Sequence, residues 1–209
     1  MEKKRFIFDL DGTLLTADFS VEKLYFENNF GTSAHLLTSQ IGKLLDQYER
    51  FYQKYDKKLL GNFLTNKTGL DITETIIDGW IDAMANVKDE MEMGVIELLE
   101  YLKDKGHSLA VLTNWFSATQ IPRLENSGLI TYFDEIYTGE KVLKPHQIAY
   151  KTAIGEFFPN DCIMVGDNLE KDYIGPRRCS IESILYDKDN NHGTCLVKVK
   201  SMNEIIKKY

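Results

Sequence analysis

Short, nearly continuous apolar runs recur along the chain at residues 5–10, 108–113, 135–137, 162–165 and 183–186. Runs of this length, rich in Ile, Val, Leu and Phe, predict strands covered on both faces. Between them lie stretches with helical spacing. Residues 95–105 put Leu98, Leu99 and Leu102 on one face, with Gly106 as a C-cap, and residues 147–157 also read as helix. Residues 117–127 form a further helical stretch, which Pro122 should kink or begin. Ser201 and Glu204 have the spacing of a capping box for a short final helix. Strands alternating with helices predict an α/β fold on a doubly wound parallel sheet.

Residues 17–89 break this alternation. They hold no buried strand pattern but several amphipathic stretches rich in Phe and Tyr, at 21–30, 37–55 and 73–87, the last introduced by Asp71 and Glu74 as a capping pair. An interruption of roughly 70 residues is far longer than a strand-to-helix connection needs. The pattern predicts a core of residues 1–16 and 90–209 with an inserted helical domain at 17–89. The aromatic residues Phe26, Phe30, Tyr48, Phe51, Tyr52 and Tyr55 are expected to form that domain's own core.

Composition narrows the function. The 209 residues carry a net charge of −7, which argues against a nucleic-acid polymer as partner, since phosphate backbones demand clustered Lys and Arg. A small phosphorylated ligand remains compatible, because one local cation and one metal ion outweigh a distant acidic surface. Residues 1–5 are basic, but the apolar stretch after them is broken by Asp9 and Asp11, so neither a signal peptide nor a membrane span is expected. The three cysteines, Cys162, Cys179 and Cys195, are widely spaced without a CxxC pair. That pattern points away from a disulfide framework or zinc site and toward a cytoplasmic protein, with Cys162 buried in a strand.

The most informative stretch is Phe6-Ile7-Phe8-Asp9-Leu10-Asp11-Gly12-Thr13-Leu14. A buried strand ends in two carboxylates two residues apart, which lie on one side of an extended chain, at the end of a parallel sheet where ligands bind. Gly12 lets the chain turn away. Crowded carboxylates repel and are stable together only with a cation, a shared proton or both, and a hard divalent ion such as Mg²⁺ suits oxygen ligands. A solvated Asp-Gly turn is the plainer reading of the same residues.

This stretch resembles the first motif of the haloacid dehalogenase superfamily. Three further stretches resemble its other motifs, in order. The run Leu109-Ala110-Val111-Leu112-Thr113-Asn114 is similar to the second, Lys144-Pro145 to the third, and Gly166-Asp167 with Asp172 five residues on to the fourth. The resemblance extends from Phe6 to about Tyr186 and implies a phosphatase with the helical cap of the first subclass. It implies that Asp9 is the nucleophile and Asp11 the general acid and base. Thr113, Asn114 and Lys144 would bind phosphate. Asp9, the backbone carbonyl of Asp11, and Asp167 would hold Mg²⁺, with Asp172 behind them fixing the site or Lys144.

A carboxylate at Asp11 favours phosphatases and phosphomutases over dehalogenases, which usually lack one there. The expected reaction is Mg²⁺-dependent hydrolysis of small phosphomonoesters, such as sugar or nucleotide monophosphates, through an aspartyl-phosphate. The alternatives are a phosphomutase or a non-catalytic binding protein on the same fold, as a monomer or small homo-oligomer. Trp115 and Phe116 are placed either to wall the site or to pack. His146 reads as a surface loop residue, Asn168, Glu170 and Lys171 as solvated, and Asp187 to Asn191 as a solvated turn.

Overall fold

Phe6, Ile7 and Phe8 of strand β1 (Arg5–Phe8) are all fully buried, yet they belong to two different cores. Side chains alternate across a strand. Phe6 and Phe8 therefore join Leu109, Val111, Ile163 and Val165 on one face of the sheet, while Ile7 joins Ala110, Leu112 and Met164 on the other. The computed structural model describes residues 2–193 and 196–209; Cys195 lies outside them.

After β1 come β2 (Leu15–Ala17), helices α1 (Ser20–Phe30), α2 (His35–Thr38), α3 (Ile41–Tyr52), α4 (Lys57–Thr68) and α5 (Glu74–Ala85), and then β3 (Asp89–Met91). The remainder runs α6 (Val95–Asp104), β4 (Ser108–Leu112), α7 (Ser117–Asn126), β5 (Glu135–Tyr137), α8 (Gln147–Ala153), β6 (Cys162–Gly166), α9 (Gly175–Arg177), β7 (Glu182–Tyr186), β8 (Lys198–Val199) and α10 (Met202–Ile206). The main sheet has the order β5-β4-β1-β6-β7-β8, with every pairing parallel. Residues of α6, α7 and α10 cover one face and residues of α8 the other. This is the doubly wound α/β sheet that the alternating pattern predicts.

The register places the site. Phe8 pairs with Val111 on one side and Val165 on the other. The residues that follow all three strands therefore emerge level at one edge. The chain travels from β1 outward through β4 to β5, then returns to β6 on the opposite side of β1. That reversal opens a crevice beyond the carboxyl ends of the central strands.

The helices between β2 and β3 pack around a separate core that includes Phe26, Tyr48, Leu60, Ile77, Trp80 and Ile81. Each large apolar side chain so buried contributes about 1.5–3 kcal/mol. Of the aromatic residues expected there, Phe26, Tyr48 and Tyr55 are buried, Phe30 and Tyr52 partly so, and Phe51 is 78% exposed.

Several local expectations change. The predicted stretch 37–55 divides into α2 and α3, and the chain leaves α3 at Gln53, whose φ of 56° no helix continues. The cap of α5 is Thr73, whose hydroxyl accepts from Ile76 N at 3.4 Å, rather than Asp71. Pro122 lies inside α7, not in its first turn. Glu204 reaches back to Lys200 N at 3.1 Å instead of Ser201 N, one residue earlier than a capping box requires. Asp187 is buried rather than solvated. It accepts from Lys198 Nζ, foremost, and from His192 N and Asn191 N, which hold its carboxyl below the usual range.

Candidate active site

Asp9 sits one residue past β1, its N–H donating to Val165 O at 2.9 Å. Its carboxylate accepts from Leu10 N at 2.8 Å and meets Lys144 Nζ at 2.9 Å. Lys144 is buried, and its ammonium also donates to Asp172 Oδ1 at 2.6 Å. Burial disfavours the lysine's charge, but Asp172 and Asp9 outweigh it and hold the ammonium above its ordinary value. Burial raises the carboxyl groups of both Asp9 and Asp172, with Lys144 pulling each back.

Asp172 stands on a helical turn of widened radius, Leu169–Ile174, and its other oxygen accepts from Asn168 N at 3.1 Å. Asn168 is exposed, as the sequence suggested, and it also caps that turn, accepting from Glu170 N and Lys171 N. Beneath it, Gly166 leaves no space for a side chain: a Cβ would lie 2.4 Å from Asp172 Cγ. Gly12, at φ +71°, presses against Asp167 in the same way, with a Cβ position 2.5 Å from its carboxylate. Desolvation by the surrounding chain, then the Asp9 charge, push Asp167 up to about 6.

Asp9, Asp167 and Asp172 bring carboxylate oxygens within 4.8 Å of one another. Three carboxylates against one ammonium leave excess negative charge, and the donors are all oxygens. A hard divalent cation fits both features. Asp172 is engaged by Lys144 and Asn168, so Asp9 and Asp167 are the carboxylates left to ligate.

Asp11 turns away from this cluster. Its Oδ2 accepts from Gln120 Nε2 at 2.8 Å and its Oδ1 faces Arg123 at 2.7 Å. A metal role for Asp11 would thus fall to its backbone carbonyl. Gln120 Nε2 also donates to the buried Thr113 hydroxyl at 2.8 Å.

Asn114, expected to bind phosphate, uses its side chain otherwise. Its amide donates to Lys144 O at 2.9 Å and Glu49 Oε2 at 3.2 Å, while its Oδ1 accepts from Lys144 N at 2.8 Å. The side chain braces the Lys144 loop. Trp115 and Phe116 pack into the core of the helical segment: Trp115 lies 4.7 Å from Tyr55 and 4.9 Å from Trp80, ring centre to ring centre. His146 caps α8, its ring nitrogen accepting from Ile148 N.

Four residues at the site escape a motif reading. Glu49 of α3 accepts from Tyr55 Oη and pairs with Lys171 at 2.6 Å. Gln120 and Arg123 of α7 contact Asp11, and Asp89 of β3 holds Arg123 from the other side. All four are ordinary polar types on helices or a short strand. Only the spacing of Gln120 and Arg123, three apart on one helical face, could have linked any of them.

Among the described residues no helix is long and apolar enough to cross a membrane. The haloacid dehalogenase-like hydrolase family matches residues 3–179. The chain is 28% identical to a phosphoglycolate phosphatase of Haemophilus influenzae over 194 residues, covering 88% of this chain and 86% of that protein. It is 33% identical to the Escherichia coli pyrimidine 5′-nucleotidase YjjG over 103 residues, covering 47% and 45%. It is 32% identical to a ribulose-1,5-bisphosphate 5-phosphatase of Halopiger xanaduensis over 95 residues, covering 44% and 40%. The chain thus spans less than half the length of these last two relatives.

The fold is similar to that of YfnB of Bacillus subtilis, a putative hydrolase of this superfamily bound to magnesium, with a TM-score of 0.75 at 18% identity, covering 100% and 99% of the two chains. It is also similar to the L-2-haloacid dehalogenase of Xanthobacter autotrophicus, at 0.73 and 16%, covering 99% and 98%. Two structural likenesses to enzymes of different chemistry speak for the fold alone. The family match spans most of the chain and takes in Asp9, Thr113, Lys144 and Asp167, and this protein belongs to the haloacid dehalogenase-like hydrolases.

Proposed function

We propose that this protein is a Mg²⁺-dependent phosphatase that hydrolyses small phosphomonoesters through a phosphorylated Asp9. The observation that carries the reading is the buried Lys144 shared by Asp9 and Asp172, with Asp167 completing a carboxylate cluster within 4.8 Å. Its phosphatase relatives, named for phosphoglycolate and pyrimidine nucleotides, support the same class of substrate. Asp9 and Asp167, with the Asp11 carbonyl, would hold Mg²⁺. When bound, the ion supplies positive charge that lowers repulsion between the nucleophile and the phosphoryl group.

Asp9 attacks phosphorus in line as the P–O bond to the leaving group breaks, and protonated Asp11 delivers its proton to the departing alkoxide. Asp11, now a carboxylate, takes a proton from water as that water attacks phosphorus and frees Asp9. Lys144 and the Thr113 hydroxyl stabilise charge on the phosphoryl oxygens. Uncatalysed hydrolysis of phosphomonoesters is slow enough that on the order of 20 kcal/mol of barrier must be removed, which calls for several aligned groups at once.

Residues 17–89 would act as a cap that closes over the crevice and excludes water. The antiparallel pairing of β2 with β3, Ala17 opposite Asp89, sets the two crossings into this segment side by side. The test is inorganic phosphate release from a panel of aryl and alkyl phosphomonoesters, with Mg²⁺ or excess chelator, for wild type and Asp9→Asn. Release that requires both Mg²⁺ and Asp9 is expected. Equal release from Asp9→Asn would remove Asp9 as nucleophile, and release in chelator would remove the metal.

A further inference from the structure

Resting on that reading, we propose that Gln120 and Arg123 are the positioning residues that hold the Asp11 carboxylate in the one orientation from which it exchanges its proton with the leaving group. Asp11 follows a strand and precedes a left-handed Gly12, so its backbone alone leaves the side chain free to rotate. The structure nevertheless holds it, one oxygen by a hydrogen bond and the other by an ion pair. Gln120 Nε2 donates to Oδ2 at 2.8 Å, and Arg123 Nη2 approaches Oδ1 at 2.7 Å.

The two holders are themselves fixed. Both are buried, Gln120 at 0% exposure and Arg123 at 2%. Arg123 makes a two-pronged contact with Asp89, Nε to Oδ2 at 3.0 Å and Nη2 to Oδ1 at 2.7 Å, and its Nη1 donates to Gln120 Oε1 at 2.7 Å. The fork of a guanidinium makes such a pair directional as well as attractive. Gln120 Nε2 simultaneously donates to Thr113 Oγ1. One carboxamide thus ties the proton-transferring carboxylate to the hydroxyl proposed to bind the phosphoryl group. Buried Gln and Arg side chains require partners, and these two find theirs in Asp11, Thr113, Asp89 and each other.

A residue that aims a general acid affects reactions in proportion to their need for a proton. Departing alkoxides need one, and departing nitrophenolates do not. The ratio of kcat/KM for p-nitrophenyl phosphate to that for the alkyl phosphomonoester hydrolysed fastest in the panel should therefore rise at least about tenfold in Gln120→Ala and in Arg123→Lys. A residue that merely supports the fold or Thr113 would lower both substrates together and leave the ratio unmoved. Gln120→Ala removes no charge, which keeps the measurement available if the arginine variant fails to fold.

Asp11→Asn serves as the reference. A steep ratio in Asp11→Asn with an unchanged ratio in Gln120→Ala overturns the positioning role while leaving Asp11 as the acid. An unchanged ratio in Asp11→Asn removes the acid itself and takes this inference with it. Restoration toward the wild-type ratio in Gln120→Asn, which keeps an amide donor, relative to Gln120→Ala would identify the contact with Asp11 as the cause.

Discussion

Lys144 and Asp172 meet at 2.6 Å with neither side chain open to solvent, at 1% and 0% exposure. Asp172 gives the lysine a second carboxylate beside Asp9 and holds its ammonium in the site. A buried pair of this kind costs desolvation to form, and removing one partner strands the other charge.

Lys144→Met should therefore destabilise the protein by about 3–5 kcal/mol in urea unfolding without metal. Adding Asp172→Asn should recover part of that loss, because the stranded carboxylate is then gone. A single variant within about 1 kcal/mol of wild type would show that the pair is not the anchor described.

Gly12 and Gly166 predict different outcomes for the same substitution. Gly166→Ala drives a methyl group into Asp172, which Lys144 and Asn168 clamp, so a loss of about 2–4 kcal/mol is expected. Gly12→Ala meets the more accessible Asp167 and a strained φ of +71°. It should cost about 1–2 kcal/mol and raise the Mg²⁺ concentration needed for activity. Metal titration and thermal melts of both variants, compared side by side, decide this.

Mg²⁺ should stabilise the wild type against heat. Saturation at about 100 times the dissociation constant contributes about 2.7 kcal/mol, or roughly 5–10 °C in a chain of this size. Asp167→Ala relieves carboxylate repulsion, so it should melt no lower than wild type in chelator and gain far less from Mg²⁺. An equal metal-induced shift in the variant would exclude Asp167 as a ligand.

Glu22 of α1 supplies a pH dependence away from the metal. Burial pushes its carboxyl up to about 7, although the Trp80 indole N–H at 3.1 Å partly offsets this. The folded protein then binds a proton that the unfolded chain, near 4.5, has released. Stability from this group is full below about pH 4.5 and falls as pH rises through about 7. Glu22→Gln keeps an acceptor for Trp80 and carries no charge. It should gain about 1–2 kcal/mol over wild type at pH 8 and nothing at pH 4. Parallel urea midpoints for the two proteins across that range would refute this assignment.

The parts of the molecule legible in the sequence are those where one strand carries its own evidence. Phe6 to Asp9 and Ile163 to Asp167 each combine a buried run with a polar terminus, so strand and candidate site residue were read together. The pair β2 and β3 left no such trace. Each is three residues long, and Glu90 and Met91 face solvent, so no apolar alternation marks them. Helix α4 is faint in the sequence although Asp56 caps it, because Gly61 and a run of polar residues dilute its pattern. Gln120 and Arg123 illustrate a deeper limit. Their types suit a solvated helix face, and their burial follows from Asp11 and Asp89, 109 and 34 residues away in sequence. Pairing over such distances is a property of the fold.

Trp115 and Phe116 directly follow Thr113 and Asn114, yet their rings lie among Tyr55 and Trp80 of the helical segment. The two halves are thus not interchangeable parts. A chimera that receives residues 17–89 from a relative would set foreign side chains against this aromatic pair, and the disturbance would reach the adjoining loop within two residues. Exchange of the helical segment between family members therefore has a natural unit larger than residues 17–89: the helices together with positions 115 and 116.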